Sequence, residues 1–64
     1  MTSYQKYAEL RDKKEMNDFA VSKETGINQA VLSDWKNGRY EPKIEKRLIL
    51  ARFFGVPVEA LIGD

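Results

Sequence analysis

Gln29, Ala30, Ser33 and Asp34 place an amide, a methyl, a hydroxyl and a carboxylate within one short stretch. Wind that stretch as a helix at about 100° per residue, with Gln29 at zero. Ser33, Asn37, Ala30 and Asp34 then fall between about 40° and 140°, while Val31, Trp35 and Leu32 fall between about 200° and 300°. The polar and apolar arcs do not overlap. The four groups match the chemistry that discriminates base edges in a DNA major groove. An amide bonds adenine bidentately, a hydroxyl bonds either way, a methyl meets the thymine methyl, and a carboxylate accepts from the cytosine amine. A solvated face of an ordinary amphipathic helix has the same polarity, so the arc alone leaves both readings open.

The elements that must position this arc are helical. A first helix is expected over about Ser3–Lys14, with Thr2 and Gln5 spaced as a capping box and Tyr4, Tyr7, Ala8, Leu10 and Arg11 at helical spacing. A second runs over about Asp18–Thr25, with Asn17 as its N-cap and Gly26 as its stop. Asn28 caps a third, about Gln29–Lys36, which Asn37-Gly38 ends. Arg39–Pro42 reads as a loop. A fourth helix is expected over about Lys43–Phe54, stopped by Gly55, and a short fifth over about Val58–Ile62, entered through Pro57.

Size and composition restrict what such a chain does. Its 64 residues allow one domain at most. It has no cysteine and no histidine, so disulfides, thiolate metal sites and the usual neutral-pH proton shuttle are absent. There is no glycine-rich phosphate loop and no metal-ligand spacing, and a bundle this small offers little concave pocket. No catalysis, cofactor, metal site or small-molecule substrate is expected. No apolar run approaches the ~20 residues of a membrane span, and the N-terminus lacks a signal peptide's apolar core. A cytoplasmic location and no membrane partner are the default. Net charge is only +1, but residues 34–47 carry an excess of two positive charges while residues 1–24 cancel.

Residues 18–38, DFAVSKETGINQAVLSDWKNG, add a pattern. Ser22 is small enough for two helices to cross closely, Gly26 turns the chain, and Ile27, Leu32 and Trp35 wedge the pair apart. With this pattern, the pieces FAVSKETGI, VLSDWKNGR, Pro42-Lys43-Ile44 and ARFFGVPVEALIG make the sequence resemble the phage-repressor-like helix-turn-helix family. This is the Cro/cI or XRE type, in the variety common in Gram-positive bacteria and their prophages. The resemblance extends from about Tyr4 to Gly63. It implies an all-α, compact five-helix, lambda-repressor-like DNA-binding bundle, one domain over residues 1–64 with the helix-turn-helix proper at 18–38. It implies sequence-specific binding of double-stranded DNA by a transcriptional regulator, a prophage repressor acting as a homodimer on a palindromic operator. Carried over by matching position, Gln29, Ala30, Ser33 and Asp34 face bases, and Asn17, Asn28, Asn37, Arg39 and Lys43 contact phosphates. The hydroxyl of Tyr40 is a further phosphate donor. A chain ending at Gly63-Asp64, where such domains end, also suits a piece of a longer repressor.

Three positions depart from the family pattern. Asp18 stands where the family has a phosphate-binding glutamine, and an anion there repels phosphate. Arg11 loses its usual glutamate partner, because Lys36 occupies that position; Arg11 is expected to turn to Asp34, Glu15 or a phosphate, and Lys36 to solvent or DNA. Asp34 either favours a cytosine amine or merely orients Arg11 or a lysine. Trp35 lies on the apolar arc and is expected in the core. On the fourth helix, Ile44, Leu48, Leu50, Ala51 and Phe54 share one broad apolar face. Ile49 and Phe53 lie roughly opposite, either covered by the fifth helix or forming a homodimer contact. A protein-interaction module (an antitoxin or adaptor) on the same fold is the alternative function.

Overall fold

The structure is a computed structural model that describes residues 2–62. Met1, Gly63 and Asp64 lie outside it, and with them the ends of the expected 1–64 domain. Four α-helices follow one another: α1 (Ser3–Lys13), α2 (Asp18–Thr25), α3 (Gln29–Lys36) and α4 (Ile44–Phe54). A 3-10 turn, Val58–Leu61, follows α4, and no strand occurs among the described residues. The expected fifth helix is therefore a correction. Ala60 N–H donates to Pro57 and Ile62 N–H to Glu59, both three residues back. A segment one turn long, entered through proline, closes the tighter 3-10 ring rather than nucleating an α-helix.

Local chemistry sets the boundaries. Gln5 N–H donates to Thr2 Oγ1 at 3.1 Å and Thr2 N–H to Gln5 Oε1 at 2.8 Å, the reciprocal capping box. Asn17 and Asn28 accept from Ala20 and Ala30 N–H, each at 2.8 Å. Gly26 ends α2 at φ +78°, in the left-handed region that glycine enters without steric cost. The end of α1 uses the same geometry without a glycine. Glu15 takes φ +55°, while Met16 N–H reaches Arg11 O and Glu15 N–H reaches Asp12 O. These bonds satisfy the last carbonyls of α1 at the cost of a side chain held in the left-handed region.

Tyr7, Val21, Ile27, Leu32, Trp35, Leu50, Ala51 and Leu61 form the core. Trp35 lies there as expected, stacked on Tyr7 with ring centroids 5.0 Å apart. Ile44 and Leu48 do not join it. They are 52% and 42% exposed, against the expectation of a shared buried face. The buried arc of α4 is narrower, carrying Leu50 and Ala51 with half-buried Arg47 and Phe54. A bundle of this size cannot cover both shoulders of an eleven-residue helix.

Candidate nucleic-acid interface

The two helices of the 18–38 segment meet across a turn held by hydroxyls. Ser22 Oγ donates to the carbonyl of Ile27. Thr25 Oγ1 donates to Val21 O at 2.7 Å and accepts from Ile27 N–H at 3.3 Å. Ile27 itself is buried, so the turn is pinned to the core from below. α3 then anchors through Leu32 and Trp35, with Val31 half-buried. Its opposite arc stands clear: Gln29, Ala30 and Ser33 are exposed, and Asp34 is half-exposed.

The other candidate residues are exposed at the starts of α2 and α3 and on the segment that follows α3. Asn17 and Asn28 are exposed and spend their carboxamide oxygens on the helix caps. Their NH2 groups remain as donors, beside the positive ends of the helix dipoles. Asn37 donates one amide hydrogen to Ser33 O at 2.9 Å and keeps a second. Arg39, Tyr40 and Lys43 are all exposed on the segment between α3 and α4. Lys43 is the residue before α4, where its donor-only ammonium cannot cap the helix N–H groups.

Asp34 lies 3.8 Å from Arg39 Nη1, with the two side chains 45% and 74% exposed. That distance, in solvent, is a weak ion pair. Neither Arg11 nor a lysine is its partner, contrary to one reading of the sequence. Arg11 instead donates to Asp18 Oδ1 at 2.8 Å and to Asp12 Oδ1 at 3.0 Å, which corrects the expectation of Asp34, Glu15 or a phosphate. Asp18 also accepts from Tyr7 Oη at 2.7 Å and Tyr4 Oη at 3.0 Å. Burial opposes its ionisation, and the hydrogen bonds from Arg11, Tyr7 and Tyr4 overcome that, holding the carboxyl below the usual carboxylate range. Burial, then the bond to Asp18, pushes the Tyr7 phenol well above its ordinary value. The counter-ion that Lys36 fails to supply thus comes from the start of α2. Lys36 is exposed, lining a shallow cleft with Thr2, Gln5 and Glu41.

This hub escaped the sequence reading, though a signal existed. Tyr4, Tyr7 and Arg11 fall three and four apart, so their polar tips share one stripe of α1 and converge on a single carboxylate. The partners of Trp35 were missed as well. Its indole N–H donates to buried Ser3 Oγ at 2.8 Å, as a core tryptophan requires of some acceptor.

Of the expected dimer residues, Ile49 is 40% exposed. Phe53 is half-buried, packed edge-on against Phe54 with centroids 5.1 Å apart. The Lys14 ammonium stands 5.2 Å from its ring centre. Among the described residues, no helix is long and apolar enough to cross a membrane, and no group of His, Cys, Asp and Glu is set to hold a metal ion.

A bundle with a glycine-turned helix pair and one polar helix arc left free defines a helix-turn-helix protein. The helix-turn-helix family profile matches residues 8–61, and the chain belongs to that family. Among curated proteins, the cryptic phage CTXphi transcriptional repressor RstR of Vibrio cholerae is 30% identical over 59 residues, covering 92% of this chain and 53% of RstR. The chain therefore spans about half the length of that relative. No solved structure matches.

Proposed function

We propose that this domain is a phage-type transcriptional repressor that lays α3 in the major groove of double-stranded DNA. One observation carries the reading. The arc of Gln29, Ala30 and Ser33 is exposed on α3, the N-termini of α2 and α3 are both capped by asparagine, and Arg39 and Lys43 are exposed on the loop that follows α3. Gln29, Ala30, Ser33 and Asp34 face the bases. Asn17, Asn28, Asn37, Arg39, Tyr40 and Lys43 take phosphates, which fix register without reading sequence. The likeness to a phage repressor supports the biological role, and a DNA target fits a cytoplasmic location.

The operator is a palindrome bound by a homodimer. Successive major-groove faces are about 34 Å apart, and the longest extent of this molecule is 26 Å. One copy therefore presents one recognition helix, and two copies reach two half-sites. Ile49, exposed on α4, supplies the apolar contact with half-buried Phe53 one helical turn further on. The test is a salt titration of duplex binding. Wild type binds with a steep salt slope, and Arg39→Gln weakens selected and random duplexes alike, flattening the slope by about one unit. Absence of duplex binding even at low salt would leave the protein-interaction reading in its place.

A further inference from the structure

We infer that Glu41 is a positioning residue: its carboxylate clamps the α3–α4 loop to α1 and α4, so that Arg39, Tyr40 and Lys43 are presented together to the DNA backbone. The inference rests on the DNA-binding reading above and adds how the loop is held. Glu41 Oε1 accepts from Ser3 Oγ at 3.1 Å, and Glu41 Oε2 accepts from Arg47 Nη2 at 2.8 Å. Ser3 Oγ in turn accepts from the Trp35 indole N–H at 2.8 Å. One loop carboxylate thus reaches α1 directly, α4 directly, and the last turn of α3 through Ser3.

Arg39, Tyr40, Glu41 and Lys43 are all exposed and Pro42 is buried, and the Glu41 carboxylate, with its side chain 65% exposed, is bonded to both α1 and α4. The anchors therefore sit between the candidate phosphate ligands. A free acid at that place would repel the backbone that its neighbours attract. Here its charge is taken up by Arg47, whose side chain is only 13% exposed. Hydrogen bonds from Arg47 and then Ser3 also hold the Glu41 carboxyl below the usual carboxylate range. Arg47 meets Glu41 through Nη2, while its buried Nε finds no partner among the described residues, so Glu41 is the group that holds that end of α4 to the loop.

The double variant Glu41→Gln/Arg47→Gln removes the clamp while keeping the wild-type net charge, so long-range attraction to DNA is unchanged. Binding to a labelled duplex is followed by anisotropy across a salt series, with far-UV circular dichroism checking the helices. The double variant is expected to bind selected and random duplexes about 5-fold more weakly, with a slope shallower by about one unit, as when one phosphate contact is lost. Glu41→Asp keeps the charge but is one methylene too short to span Ser3 and Arg47. It is expected to fall between the two and guards against a double variant that does not fold. Glu41→Gln alone separates the mechanisms by sign: loss of a mere surface anion tightens binding, whereas loss of the clamp weakens it. If wild type binds duplex while both charge-neutral replacements match its affinity and slope, the positioning role is overturned by itself. A wild type that binds no duplex overturns the DNA-binding reading along with it.

Discussion

Asp18 and Asp34 are the same residue type on the two helices of one motif, and their surroundings differ. Asp18 has its side chain 19% exposed and takes three hydrogen bonds of 3.0 Å or less, from Arg11, Tyr4 and Tyr7. Asp34 is 45% exposed and faces one cation at 3.8 Å. The first carboxylate has been absorbed into the packing of α1 on α2. The second remains available to whatever approaches α3. Within a helix-turn-helix, the donors already gathered around an acid decide whether it serves the fold or the ligand.

The contrast breaks most visibly at Asp18. Asp18→Asn should destabilise the domain by about 2–3 kcal/mol in urea unfolding, since hydrogen bonds to a charged, largely buried group are among the strongest. The pH dependence follows from the depressed carboxyl. Its contribution is complete above the unfolded carboxylate value of about 3.9 and disappears as pH falls through the lower folded value. Asp18→Asn should therefore flatten the acid limb of the stability profile, and an unchanged limb would detach the hub from stability. The raised Tyr7 phenol works in the opposite direction. Its contribution is complete below about pH 10 and is lost as pH rises through the folded value.

On the α3 side the effects should appear in binding and leave stability nearly untouched. Gln29→Ala should cost about 1–3 kcal/mol of discrimination at one base pair in each half-site, read from a panel of single-base operator variants. Asp34→Asn should change stability by less than about 0.5 kcal/mol. It should tighten binding to all duplexes modestly through lost repulsion and alter preference at one position. A large fall in melting temperature would instead place Asp34 with Asp18. The smallest expected effect concerns a third acid. Glu15→Gly removes a side chain held at φ +55° and should stabilise the domain by up to about 1 kcal/mol, with DNA affinity unchanged.

What the sequence disclosed was set by neighbours along the chain. Thr2 with Gln5, Asn17, Asn28, Gly26 and Gly55 each act within a few residues, and they placed α2 and α3 at their observed boundaries. The exposed arc of α3 was legible for the same reason, because helical period alone separates Gln29 and Ser33 from Leu32 and Trp35. What was missed depends on residues distant in sequence. Arg11 found Asp18 only because two tyrosines on its own stripe aim at the same point. Ile44 and Leu48 fit an apolar face by period, but only the packing of α4 shows how wide that face is. The Ser3–Glu41–Arg47 clamp joins three segments that no local pattern links.

Selection of bound sequences from a random duplex pool asks whether this face of α3 reads DNA. Enrichment of an inverted repeat whose half-sites lie about 34 Å apart, near one helical turn, is expected, and the same selection with Gln29→Ala should relax one position in each half. Absence of enrichment, or an enriched single site that Gln29→Ala leaves unchanged, would contradict reading of the groove by this face of α3.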